Sequence, residues 1–172
     1  MRKHTGMRPQ DIVVLLKMIS LGDKSWRITD LANQLFMSQS EVSEALNRCK
    51  IAGLTDESKK KVFRDSLLEF LVHGLRYVFP EQPGALVKGI PTAHSAEPLS
   101  KKILSAEADR YVWPFSEGKV RGQAITPLFK TAPEAALEDP KLYELLALTE
   151  ALRVGKAREF KLASEELSKR FK

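Results

Sequence analysis

The residues of this chain best suited to chemistry lie between Lys24 and Lys61. Gln39, Ser40, Ser43, Glu44 and Asn47 are spaced so that a helix would carry them along one side. Gln and Asn amides can pair bidentately with adenine, and a serine hydroxyl is permissive. Glu44 is the exception in that row, because a carboxylate either accepts from cytosine N4 or repels phosphate. Around it stand Lys24, Arg27, Arg48, Lys50, Lys59, Lys60 and Lys61, with the Ser38 hydroxyl. These are groups that contact phosphate oxygens and set affinity and salt dependence, while base edges set sequence. Arg64 is a further candidate at the margin of this set.

Other chemistries lack their residues. The chain contains no G-x-x-x-x-G-K, G-x-G-x-x-G, H-E-x-x-H or C-x-x-C pattern. His94-Ser95 has no third group to orient it, so no catalytic residue is expected and the chain is read as a non-enzyme. His4, His73 and His94 are scattered and unaccompanied by a cysteine pair, so no metal site is expected either. No cofactor is called for, and no cofactor-binding residue can be named.

The elements that position the polar row can be read directly. Leu31, Ala32 and Leu35 form one apolar face, Met37 plugs a turn, and Val42, Ala45, Leu46 and Cys49 form a second face. Ser38-Gln39-Ser40-Glu41 has the S-x-x-E form of a capping box, in which the two side chains satisfy backbone donors at a helix start. Ala32 is small enough to let two helices meet closely. Residues 28–50 therefore read as helix, tight turn, helix. Gly53 suits a left-handed C-cap behind the second helix. Before this unit, Ile12, Leu15, Leu16 and Ile19 recur at helical spacing behind Pro9, and Ser25–Ile28 is a β-compatible stretch. After it, Leu54 to Phe63 has β-compatible ends around a polar turn, as a hairpin would.

Helix, short strand, helix, helix, hairpin is an order that resembles the winged helix-turn-helix of bacterial transcriptional regulators, broadly the MarR-like type, over residues 8–64. The resemblance implies that the second helix of the pair, residues 38–50, enters a DNA major groove. It implies that the wing, with Lys59, Lys60 and Lys61, touches the adjacent backbone or minor groove. One departure stands out: Phe36 occupies the left-handed turn position where that pattern usually has glycine, at a cost on the order of 1 kcal/mol.

The bulk numbers agree with an anionic partner. Among 172 residues, 28 Lys and Arg exceed 22 Asp and Glu, a net charge of +6 that leans toward the first 80 residues. With 43% hydrophobic residues the chain can fill a packed core. The single cysteine, Cys49, is expected in that core and excludes an internal disulfide, which suits a reducing cytosol. No apolar run nears the ~20 residues of a membrane span, and the N-terminus lacks the apolar stretch of a signal peptide. A cytoplasmic protein is expected, with no membrane partner.

The expected organisation has four parts. Residues 1–7 are a flexible N-terminus. Residues 8–80 are a winged helix-turn-helix with a following helix, whose stripe of Leu67, Leu68, Leu71, Leu75 and Val78 includes His73 and stops at Pro80. Residues 81–132, with Pro83, Pro91, Pro98, Pro114 and Pro127, are extended or looped, with β-leaning runs at Leu86-Val87, Tyr111–Trp113 and Val120–Ile125. Residues 133–172 are C-terminal helices for dimerisation or partner docking, one starting at Asp139-Pro140 and one carrying Phe160, Ala163, Leu167 and Phe171. The fold class is thus mainly α with a small β wing and a C-terminal helical and irregular extension. The function expected is a sequence-specific double-stranded DNA-binding regulator, a repressor acting as a homodimer. The rival is a protein-interaction adaptor or antitoxin-type operon regulator, whose residues 81–172 take a partner protein or a small-molecule effector.

Overall fold

A computed structural model describes residues 6–172. Helix α1 spans Pro9–Leu21, with Pro9 in the first turn, where a missing N–H costs nothing. Every residue from Asp11 to Ile19 is buried, so α1 is enclosed on all sides rather than amphipathic. Two charges secure its ends. The Asp11 carboxylate accepts from the Arg8 backbone N–H and from the guanidinium of Arg48, at 2.9 Å to Nε and 2.7 Å to Nη2. Lys17 donates to Asp139 at 2.7 Å, and the Ser20 hydroxyl donates to the same oxygen at 2.9 Å.

Helix α2 (Ile28–Leu35) and α3 (Gln39–Ile51) pack against α1 and each other. The expected strand at Ser25–Ile28 does not form. Asp30 instead takes the Arg27 backbone N–H at 2.7 Å and starts α2 there. The expected hairpin of residues 54–63 reduces to one bridge, Thr55 with Val62, flanked by the Phe63 N–H to Leu54 carbonyl and Asp56 N–H to Lys61 carbonyl bonds. The helix after it divides at Gly74 into α4 (Arg64–His73) and α5 (Leu75–Val78). Leu67, Leu71 and Leu75 are buried as read, whereas His73 and Val78 are exposed and lie outside the stripe.

The β-leaning runs of residues 81–132 become strands: β1 (Leu86–Pro91), β2 (Tyr111–Pro114) and β3 (Val120–Ala124). β1 pairs antiparallel with both others, and β2 pairs parallel with β3, closing the sheet on itself. Three strands enclose too little space for a full set of side chains. A Cβ at Gly89 would lie 2.0 Å from the Trp113 carbonyl oxygen, so glycine is required there. The segment is therefore an ordered small sheet with short 3-10 turns, more regular than a set of loops.

Helix α6 (Ala132–Glu138) precedes the Asp139 cap and has no counterpart among the expected elements. Helix α7 (Pro140–Val154) starts as expected, the Asp139 carboxylate accepting the Leu142 N–H at 3.1 Å. Its surroundings differ from the single apolar face expected, because residues 145–153 are buried without interruption. α7 packs on α1, on α6, on α8 (Ala157–Arg170) and on the turn at Ala93–Ser95. Its polar members are paired: Glu150 accepts from Trp113 Nε1 at 2.9 Å and from Arg153 at 2.8 Å. Burial pushes the Glu150 carboxyl up, against the pull of Arg153 and Trp113.

Ala163, Leu167 and Phe171 of the C-terminal stripe are buried, and the helix that carries them folds back onto α7. That apolar surface is used inside the chain. The N- and C-terminal parts thus share one core through the contacts of α1 with α3 and α7. Met7, expected in a flexible tail, packs on this core; the rest of that tail before Gly6 lies outside the described residues. The protein is mainly helical with a small three-stranded sheet. Among the described residues, no helix is long and apolar enough to cross a membrane.

Candidate nucleic-acid interface

The turn between α2 and α3 is built as its residues require. Leu31, Ala32, Leu35, Met37, Val42, Ala45, Leu46 and Cys49 are all buried. Phe36 takes the left-handed conformation, φ 54°, with its ring half exposed. The residue therefore accepts the strain that a glycine there would avoid. Both halves of the capping box are present. Ser38 Oγ accepts the Glu41 N–H at 3.1 Å, and Glu41 Oε2 accepts the Ser38 N–H at 2.8 Å. Those bonds hold the Glu41 carboxyl below the usual carboxylate range. A brace that residue spacing did not foretell comes from outside the pair: Thr131 Oγ1 donates 2.8 Å to the Leu35 carbonyl, one of the acceptors left over where α2 ends.

With the inner face of α3 fixed, the outer face follows. Gln39, Ser40, Glu44 and Asn47 are exposed and Ser43 is half-buried. Gln39, Ser40 and Ser43 make no side-chain hydrogen bond among the described residues. The structure thus brings all five base-reading candidates to one exposed strip.

The loop at residues 54–63 lies beside that strip and is organised by Asp56. Its Oδ1 accepts the N–H groups of Lys60 (2.9 Å) and Lys61 (3.0 Å), and its Oδ2 accepts the Ser58 hydroxyl at 2.6 Å. The Ser58 hydroxyl and these N–H groups hold the Asp56 carboxyl below its ordinary value. Lys59 sits at the tip with φ 60°. Its Nζ donates 2.8 Å to Asn47 Oδ1, and Lys50 pairs with Glu57 at 2.7 Å, so loop and helix are tied twice.

The phosphate candidates are placed differently. Lys24 and Lys61 are exposed, with no ion pair among the described residues. Arg27 is 83% exposed beside Asp30, and Ser38 is engaged as a cap. Lys60 lies 3.8 Å from the centre of the Trp26 ring and donates to the Trp26 carbonyl at 2.8 Å. This cation–π contact holds the ammonium over the Trp26 ring. Arg48 is a correction. Its side chain is only 9% exposed and is bonded twice to the fully buried Asp11, so it does not stand ready for phosphate. A buried carboxylate 37 residues away claims it, since either charge alone would be costly to bury.

Arg48 also draws Glu44, whose carboxylate lies 3.8 Å from Nη1. The same guanidinium is already bonded twice to Asp11, and Glu44 remains largely in solvent. Two residues of the site are not evident from the sequence. Trp26 falls within the stretch expected as a strand, and Asp11 has the look of an ordinary first-turn acid. The signal for Asp11 is a charge beside an unbroken apolar run, with an arginine on the inner half of another helix.

Cys49 is core as expected: burial pushes its thiol far up, and it lies against the Asp11 carbonyl. A cleft of about 960 Å³ adjoins the loop, between the α1 end, Trp26, Lys60 and the α4 start. Comparison with protein-family models, curated proteins and solved structures finds no match for this chain.

Proposed function

We propose that this chain is a sequence-specific double-stranded DNA-binding transcriptional regulator, a winged helix-turn-helix protein of the broad MarR-like type acting in the cytoplasm. In this reading α3 lies in the major groove and the loop at 55–62 is the wing on the sugar-phosphate backbone. The observation that carries it is the outer strip of α3, polar, flanked by the Lys59–Lys61 loop, and with no packing task of its own. Short amides and hydroxyls there, with cations to one side, suit a duplex better than an apolar partner does. Lys24, Arg27, Lys60 and Lys61 are the phosphate contacts in this reading, and Gln39, Ser40 and Ser43 read base edges.

The regulator acts as a homodimeric repressor. One helix reads few bases, and two-fold pairing doubles the site. Sedimentation of the full chain at micromolar concentration, free and DNA-bound, tests the pairing, and a monomer in both states would refute it. The function itself is tested by selection from a random duplex library. A motif should emerge, and Gln39→Ala should relax it at one position. Lys60→Ala with Lys61→Ala should weaken all sequences alike and flatten the dependence on salt by about one unit of log–log slope for each phosphate no longer neutralised. A library that yields no enriched motif would exclude the reading.

A further inference from the structure

Lys130 comes from the C-terminal half of the chain yet stands beside the turn that starts α3. Its neighbour Thr131 precedes α6 and gives that helix no side-chain cap; its hydroxyl donates 2.8 Å to the Leu35 carbonyl at the end of α2. The backbone around Lys130 is held on both sides. Leu128 and Ala132 are buried, and the Ala132 N–H bonds the Phe129 carbonyl at 3.0 Å. The Lys130 side chain is exposed, with no ion pair among the described residues. Glu134 lines the same cleft as Lys130 without pairing to it. The bonds from Ser38, and after them the charge of Lys130, hold the Glu41 carboxyl below its ordinary value. That influence places Lys130 close to the first turn of α3.

The cations of the loop at residues 54–63 meet α3 further along. Lys59 is tied to Asn47, and Lys50 to Glu57. At a rise of about 1.5 Å per residue, residues 41 and 47 are about 9 Å apart along the helix. A major groove is about 12 Å wide, with a phosphate backbone on each side. Phosphate contacts fix the register and orientation of a helix in that groove. Contacts from the loop alone leave the start of α3 free to swing outward, whereas a cation at each end holds it.

We infer that Lys130 is a phosphate contact on the backbone across the groove from the wing, so that both halves of the chain clamp α3 onto the duplex. The inference rests on the duplex-reading role of α3 proposed above. It goes beyond that role by giving the C-terminal half a direct part in binding, through a residue outside the helix-turn-helix and its wing.

The experiment measures binding of the full chain to the duplex enriched by library selection, over a range of salt concentrations. Wild type is compared with Lys130→Gln, Lys130→Arg and Lys61→Gln, and single phosphates of the duplex are replaced in turn by neutral methylphosphonates. Lys130→Gln should lower the log–log salt slope by about one unit and leave the selected motif unchanged, and Lys130→Arg should keep the slope. Neutralising one phosphate should weaken the wild type and leave Lys130→Gln indifferent. That phosphate should lie across the major groove from the one to which Lys61→Gln becomes indifferent. A slope unchanged in Lys130→Gln would overturn the inference, with the DNA reading left standing, and would reduce Lys130 to a counter-charge for Glu41. So would finding both variants indifferent to the same phosphate. A wild-type library with no motif at all would remove the DNA reading itself, and this inference with it.

Discussion

Helices α3 and α7 each keep a buried arginine tied to a buried carboxylate, yet their outsides have different duties. Beyond its first turn, α7 leaves little to solvent. Residues 145–153 are enclosed, and Glu150 and Arg153 answer Trp113, the Phe79 carbonyl and the Thr126 carbonyl. Around α3 only Val42, Ala45, Leu46, Arg48 and Cys49 face inward, and the polar strip is left to solvent. The difference separates two kinds of residue that composition alone cannot. A charged side chain on α7 serves the core. On α3 a charged side chain serves the core at Arg48, while one position earlier the polar Asn47 is exposed.

The contrast can be broken most severely at Asp11. Asp11→Ala leaves the Arg48 guanidinium buried without its carboxylate, and a broken buried pair costs about 3–5 kcal/mol. For a chain of this size that is a Tm decrease of roughly 6–20 °C, read by thermal unfolding. Arg48→Lys should recover little, because an ammonium cannot reproduce the two-pronged contact. If either variant melted like the wild type, Arg48 would not belong with the core residues.

Ser38→Ala tests the start of α3 and should cost about 1 kcal/mol by denaturant titration, since one helix donor is left without its acceptor. A smaller effect is expected on α8. Glu166, held by Lys102, Arg170 and Lys169, has its carboxyl lowered to about 2 from an ordinary 4.5. Its folded pKa is depressed, so its contribution is complete above the unfolded value and disappears as pH falls from about 4.5 to about 2. Lys102 and Lys169 are largely in solvent, which screens the gain. Glu166→Gln should make the acid limb shallower in that window and leave stability near pH 7 only slightly reduced. A limb unchanged by the substitution would show that these pairs contribute nothing.

The smallest expected change is the most informative for α3. Gln39→Ala and Ser43→Ala should shift stability by no more than about 0.5 kcal/mol, because neither side chain hydrogen-bonds within the described residues and neither is part of the core. A larger effect would mean that the outer strip has a structural task, which would undercut its assignment to a partner.

Much of the unit around α3 was legible from residue types. Ala32, Met37, Val42 and Cys49 are buried where helical spacing puts them, and both capping-box bonds form. The Asp139-Pro140 start and the left-handed Gly53, φ 76°, were equally plain. These are local matters, determined by neighbours three or four residues away. The strand runs at 86, 111 and 120 were visible too, but not their closure. That closure depends on backbones meeting at Gly89 and Gly122, far apart in the chain.

Ser25–Ile28 shows the opposite failure. Its β-compatible side chains yield to an Asp30 carboxylate that can cap α2, because a backbone donor needs a partner and a short unpaired strand offers none.

What the amino-acid order determined by itself is the pair of helices, their turn and the polar character of the outer face of α3. Only the tertiary structure decided which charges that face retains. Arg48 is taken inward by Asp11, Lys50 is held by Glu57, Lys60 rests on Trp26, and Lys59 donates to Asn47 Oδ1. The reason is physical: helix and cap are specified by contacts one turn away, whereas a charge takes the best partner that folding brings near. For Arg48 that partner is 37 residues distant along the chain, yet its carboxylate oxygens lie 2.9 and 2.7 Å away in space.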